Sequence, residues 1–215
     1  MKYSIELNQV SKRYGSHIVF TKLNLTLSPG IHALQGENGV GKSTLIKMLC
    51  GLEAVDEGGI FINGLSLKKK RVLINQHRVY LPDQPAFYEN ATVKEIVHVL
   101  LSMRKASIPV AQQLIDYWDL IPLFSKKWRG LSLGQRKRVF FGVSLMESVG
   151  VWVLDEPSSG LDHAWMPKLI SAVTQHSQKG LVLVSSHDEE FLKAVKPARI
   201  RLERINGSTQ ICESS

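Results

Sequence analysis

At 215 residues the chain is long enough for one substantial core or two small ones. With 44% hydrophobic and 21% charged residues it has the make-up of an ordinary globular protein, and its longest apolar runs, VGVWVL (149–154) and LVLVSS (181–186), fall far short of the roughly 18 residues that cross a bilayer. A formal net charge of +8 favours an anionic partner, whether nucleotide, nucleic acid or an anionic membrane surface.

The N-terminal run MKYSIELNQV alternates like a strand and lacks the apolar core of a signal peptide, so a cytoplasmic chain is expected. VFTKLNLTLSPG alternates again and stops at the Pro29-Gly30 turn. IHALQG (31–36) is a short apolar strand ending in glycine, and KSTLIKMLCG (42–51) has helical spacing at Leu45, Met48 and Leu49 with Gly51 as its stop. GGIFING (58–64) reads as a further short strand. From about residue 85 the periodicity changes. TVKEIVHVLLSM (92–103) puts Val93, Ile96, Val97 and Leu100 on one helical face behind a Thr92–Glu95 capping box, and VAQQLIDYWDLI (110–121) is a second helix closed by Pro122. VWVLDEP (151–157), MPKLISAVTQHS (166–177) and LVLVSSH (181–187) then read strand, helix, strand, the pattern of a parallel sheet with crossover helices. Cys50, in a buried helix, and Cys212, near the C-terminus, are expected to be neither disulfide, metal ligand nor nucleophile.

GENGVGKST (36–44) matches the phosphate-binding loop G-x-x-x-x-G-K-[ST], and it follows a strand and opens a helix, as that loop must. Its glycines let successive backbone N–H groups turn inward around phosphate oxygens, and the helix N-terminus adds partial positive charge. Lys42 would reach the outer phosphates and the Ser43 hydroxyl would ligate Mg²⁺. The apolar strand VWVLDE ends in Asp155, a carboxylate at the sheet edge suited to a Mg²⁺-bound water, and Glu156 follows to orient an attacking water. A GTPase would show a guanine-reading N-K-x-D, and the chain has none. LSLGQRKR (131–138) taken alone has a plain reading: Ser132 caps a helix, and Arg136, Lys137 and Arg138 form a solvated face.

With these motifs in one chain, the sequence resembles the ATP-binding-cassette (ABC) ATPases over nearly its whole length. Seven elements stand in the family's order: Tyr14 in SKRYG, the residue that stacks on adenine; GENGVGKST as Walker A; YLPDQPAFYENATVKEI (80–96) as the Q-loop region; LSLGQ as the signature; VWVLDE as Walker B; SSGLD (158–162) as the D-loop; and His187 in VSSHD as the switch histidine. The resemblance implies an α/β fold with a P-loop NTPase (RecA-like) core, an antiparallel β subdomain and an inserted α-helical subdomain. It implies one ABC ATPase domain over 1–215, with the core and its β flank in 1–84 and 146–215 and the helical subdomain with the signature in 85–145.

The resemblance also implies the chemistry. ATP would be bound by Tyr14 and by Gly36, Asn38, Gly39, Val40, Gly41, Lys42, Ser43 and Thr44, with Mg²⁺ on Ser43 and Asp155. Glu156 would serve as general base, with Lys42 and His187 completing the catalytic set. Ser132, Gly134, Gln135 and Asp162 would act in trans, on ATP held by a second subunit, in a head-to-tail homodimer. Two departures stand out. Leu133 takes the signature position where the family usually has Gly, which leaves Ser132, Gly134 and Gln135 intact. Asp83 takes the usual Q-loop glutamine position and Gln84 follows it, so either Asp83 does the work or a one-residue shift presents Gln84.

A compact cassette of this kind resembles exporter-type ATP-binding subunits, peripheral on the cytoplasmic face of the membrane beside a separate transmembrane permease, with no nucleic acid expected. The alternative is a soluble ABC ATPase acting on ribosomes or nucleic acid, which the positive charge permits.

Overall fold

The computed structural model describes residues 3–103, 107–144, 149–205 and 207–213. Strands β1 (Ile5–Tyr14), β2 (His17–Leu27), β4 (Glu57–Ile62) and the two-residue β5 (Leu65–Ser66) make an antiparallel flank. Strands β3 (Gly30–Gln35), β6 (Arg78–Leu81), β7 (Val151–Asp155), β8 (Leu181–Ser185) and β9 (Ala198–Ile205) pair in parallel. Strand β10 (Ser208–Glu213) turns back antiparallel on β9 and touches β2, joining flank to core in the order β5-β4-β1-β2-β10-β9-β3-β8-β7-β6.

The parallel strands are apolar on both faces because both faces are covered. In β7, Val151 and Val153 point into one apolar cluster while Trp152 and Leu154 point into the other; in β8, Leu181 and Leu183 part from Val182 and Val184 in the same way. The first cluster is closed by helix α1 (Lys42–Leu49) through Leu45, Ile46, Met48 and Leu49. Gly51, at φ 63°, ends that helix where the sequence puts the stop. Its last carbonyls are closed from β6: the Arg78 guanidinium donates to Leu49 O and, at 2.8 Å, to Cys50 O. Cys50 is buried there and burial pushes its thiol up to about 12, which leaves it unreactive.

Between β6 and β7 the chain supplies helices: α3 (Val93–Met103), α4 (Ile108–Tyr117) and α5 (Leu133–Ser144). A further helix, α2 (Leu67–His77), precedes β6; α6 (Met166–Ser177) and α7 (Glu189–Val195) follow β7 and β8. The capping box on α3 forms, with Thr92 N–H donating to Glu95 Oε2 at 2.8 Å and Glu95 N–H to Thr92 Oγ1 at 3.3 Å. Its stripe is Val93, Ile96, Val97 and Leu101; Leu100 is only partly buried. Helix α4 begins two residues before the expected Val110, because Pro109 fits its first turn, and it ends at Tyr117, with a separate 3₁₀ turn over Ile121–Leu123. The expected boundary at 145/146 lies outside the described residues.

The basic run after the signature is not a solvated face. Lys137 is fully buried and Arg138 nearly so, and Arg136 lies over the Trp128 ring at 5.4 Å. Arg138 stacks 3.6 Å over Trp165 and donates to Trp118 O at 2.9 Å. Long cationic side chains bury when carbonyl oxygens wait for their heads; the turn after α4 provides them for Arg138, and the segment leaving β7 provides them for Lys137.

Candidate active site

Strand β3 delivers the glycine-rich loop to the carboxyl edge of the sheet, beside the ends of β7 and β8. Gly41 precedes α1 at φ 111°, a conformation that L side chains rarely adopt, and a Cβ there would stand 2.9 Å from Phe20 and Val19 side-chain atoms. Helix α1 therefore starts with no side-chain cap, and its first N–H groups are left for a ligand. Lys42 folds back on the loop, its ammonium donating to Gly36 O at 2.6 Å and Glu37 O at 3.0 Å. Burial draws its pKa down, against the pull of Glu156 and Asp155.

A cavity of about 530 Å³ opens over this loop. Asn38, Gly39, Gly41, Lys42, Ser43 and Thr44 line it from one side; Asp83, Asp155, Glu156 and His187 line it from the other. Asp155 ends β7 and accepts a hydrogen bond from the Ser185 hydroxyl on β8. Burial raises the Asp155 carboxyl above its usual range, and the Ser185 bond partly offsets this. Glu156 holds φ 47°, left-handed and uncommon for glutamate, pinned by its N–H to Ser185 O at 2.9 Å. Its carboxylate accepts from the His187 backbone N–H at 3.2 Å and lies 3.6 Å from His187 Nε2. Burial raises the Glu156 pKa as well.

Of the two Q-loop candidates, Asp83 lines the cavity and Gln84 is an exposed residue outside its lining. Gly36 and Val40 belong to the loop but are not lining residues, and Val40 is buried beneath it. Tyr14 stands half exposed at the end of β1, away from the lining, with Lys12 Nζ 4.9 Å over its ring. Ser132, Gly134, Gln135 and Asp162 likewise lie off the cavity. Ser132 caps α5 by accepting from Gln135 N–H at 3.2 Å, and Asp162 is exposed. Three contributors stand inside quoted motifs, where the sequence assigns them no role in the site. Ser185 props Asp155, Ser159 lines the cavity, and Lys137 donates to Glu156 O at 2.5 Å from beneath.

A strand, a glycine-rich turn and a helix N-terminus, facing a carboxylate at the end of a neighbouring parallel strand, define a P-loop nucleotide-binding fold. The family model described as ABC transporter matches residues 20–159. Cytochrome c biogenesis ATP-binding export protein CcmA of Nitrosomonas europaea is 30% identical over 187 residues, covering 84% of this chain and 87% of that protein. ABC transporter ATP-binding protein YtrB of Bacillus subtilis is 30% identical over 195 residues; the match takes in 88% of this chain and spans 65% of YtrB. A solved structure titled as the ATP binding subunit of an ABC transporter superposes with a TM-score of 0.84 at 25% identity, over 95% of this chain and 87% of that one. The chain belongs to the ABC transporter family, and it is an ABC-type ATPase.

Proposed function

We propose that this chain is the ATP-hydrolysing subunit of a membrane transporter, and that two such subunits close head-to-tail around two ATP molecules. The observation that carries the reading is the division of its motifs. Lys42, Ser43, Asp155, Glu156 and His187 line one cavity, while Ser132, Gly134, Gln135 and Asp162 do not. A cavity with half a set of phosphate-handling groups suits a site that a second chain completes with its signature.

In such a site the N–H groups opening α1 and the Lys42 ammonium bind the ATP phosphates, and Tyr14 stacks on adenine. Phosphate oxygens are charged acceptors and displace the neutral carbonyls on which Lys42 rests. Ser43 and Asp155 would hold Mg²⁺: a hydroxyl and one carboxylate steadied by Ser185 are the hard oxygen donors that this ion takes alongside substrate phosphate. When bound, the ion supplies neutralisation of charge on the transferred phosphoryl group. Glu156 takes a proton from water as the water oxygen bonds to the γ-phosphorus and the bond to the β,γ-bridging oxygen breaks, leaving ADP and inorganic phosphate. His187, beside Glu156, holds the γ-phosphate and the attacking water. Ser132 and the Gly134 N–H bind that γ-phosphate from the opposite subunit.

The transport half of the reading is supported by the names of the relatives, one a transporter component and the other an export protein. Residues 85–145 act in it as a helical subdomain set between core segments 1–84 and 146–215. The exposed Val99, Met103 and Ile108 on α3 and α4 are apolar surface for a transmembrane permease partner, met from the cytoplasmic face.

Capture of the ATP-locked form tests this. Tagged Glu156→Gln is expressed in its native cell, membranes are solubilised mildly with ATP present, and co-purifying proteins are identified by mass spectrometry. A stoichiometric multi-spanning membrane protein is the expected result. Ribosomal proteins or nucleic acid, with no membrane protein, would overturn the transporter reading in favour of a soluble machine.

A further inference from the structure

Lys137 on α5 has no exposed surface, yet it carries an ammonium group. That group has three hydrogens and reaches three acceptors: Glu156 O at 2.5 Å, Ser159 O at 2.8 Å and Asp83 Oδ1 at 3.4 Å. The two carbonyls belong to the segment leaving β7 and are neutral. Asp83, on the loop leaving β6, is the only acceptor of the three that carries charge.

Each member of the pair is costly without the other. A fully buried ammonium with only neutral partners has lost its hydration with no counter-charge. Desolvation is the largest influence on Lys137 and lowers its pKa; Asp83 is the largest influence acting against it. Asp83, for its part, is a third carboxylate in a cavity that already holds Asp155 and Glu156. An uncompensated third negative charge there would repel a triphosphate.

On the reading of this cavity as an ATPase site, we propose that Asp83 and Lys137 work as one charge-compensated pair, in which Lys137 is the positioning residue that ties the Asp83 loop to the backbone of Glu156 and Ser159 and presents it to the phosphates as a neutral group. Lys137 touches no substrate in this arrangement; it acts through Asp83 and through the carbonyl beside the general base.

The test is a double-substitution cycle with two readouts. Lys137→Gln leaves Asp83 uncompensated and raises the KM for ATP about tenfold, the size of coupling that contacting charged residues carry. Adding Asp83→Asn to it brings KM back to within about threefold of the unmutated chain, because the surplus charge has gone. A lysine that merely filled space would show no such rescue. Should Lys137→Gln fail to fold, Asp83→Asn alone keeps the question open to measurement, since Asp83 is 41% exposed at its side chain. It strands the buried ammonium and lowers the nucleotide-free melting midpoint by a few degrees (about 2–4 °C per kcal/mol for a chain of this size). Strictly additive effects in both KM and melting midpoint would overturn the pair. Coupled melting midpoints in a chain that neither binds nor hydrolyses ATP would support the pair and overturn the ATPase reading instead.

Discussion

Glu156 is held in place by its main chain before its carboxylate does anything. A left-handed φ of 47° at a non-glycine residue persists only when neighbours fix it, and here the Ser185 carbonyl and the His187 N–H do so. The same crowding desolvates the carboxylate, and that burial is the largest influence raising its pKa; the His187 backbone hydrogen bond and imidazole charge oppose it. On the proposed mechanism Glu156 is the general base, and a general base works deprotonated. Its activity would then be lost as pH falls through its pKa, and a raised pKa moves the loss to higher pH. The kcat/KM for ATP should therefore fall on an acid limb above the ordinary glutamate value of about 4.3. His187→Ala keeps the backbone N–H bond but removes the imidazole charge that favours the ionised form. Its acid limb should shift further up, alongside a lower rate. A pH–rate profile of the two proteins checks this, and a limb that stayed put in His187→Ala would mean that some other group titrates.

At the scale of elements, the start of α5 and the turn after β7 are interlocked. A Cβ on Gly134 would stand 2.4 Å from Gly160 O, and one on Gly160 would stand 2.8 Å from Leu133 Cδ2. The obstacle to Gly134 is backbone, so no rotamer change relieves it. Gly134→Ala should drive the first turn of α5 off the D-loop segment and cost about 1–3 kcal/mol of overpacking, read as a drop of several degrees in melting midpoint with loss of ATP turnover. Unchanged melting and turnover would show that the two segments are not locked together. The same contact gives Leu133 a place that a glycine would leave empty, a role that becomes visible only once the D-loop lies across the helix. Elements whose own pattern decides them were legible: α6 runs over 166–177 as its apolar spacing predicts, and β7 and β8 follow their continuous apolar runs. Helix α2 was not, because LKKKRVLINQH buries only Leu67 and Ile74 and kinks at Lys70, which leaves no stripe to read. The β9–β10 hairpin hides for a related reason: ARIRLERI buries Ile200 and Leu202 among charges, and its pairing with β3 and β10 is settled by distant segments. Nor does a sequence distinguish Lys137 and Arg138, with their heads buried on backbone carbonyls, from a solvated basic face.

For the whole molecule the sheet brings Walker A, Walker B and the switch histidine to one edge, because β3, β8 and β7 are parallel neighbours and each of these motifs follows one of them. Those motifs were legible for that reason: a phosphate loop or a strand-end carboxylate needs fixed residue types at fixed spacing, whatever the rest of the fold does. The signature is different in kind. Ser132 and Gly134 stand off the cavity of their own chain, so on the proposed head-to-tail reading they would act on the cavity of a second copy. In a two-fold dimer each site then takes its P-loop from one subunit and its signature from the other. This gives a prediction that no single-chain site can meet. Lys42→Ala removes the P-loop cation from both sites of its own dimer. Ser132→Glu puts a charge that suits a helix N-terminus, and so should fold, where it would repel the γ-phosphate in both sites of its own dimer. Each variant alone should be close to inactive. Mixed as equal monomers before ATP is added, about half the dimers contain one of each; in those, one site carries both defects and the other carries neither. Turnover should return to about a quarter of the unmutated level if the two sites work independently. The readout is phosphate release against mixing ratio, which should peak at equal parts and vanish at either end. A flat line near zero across the whole range, in mixtures that still form dimers with ATP and whose sites work independently, would mean that each chain builds its site alone, and the division of motifs between cavity and outer edge would need another explanation.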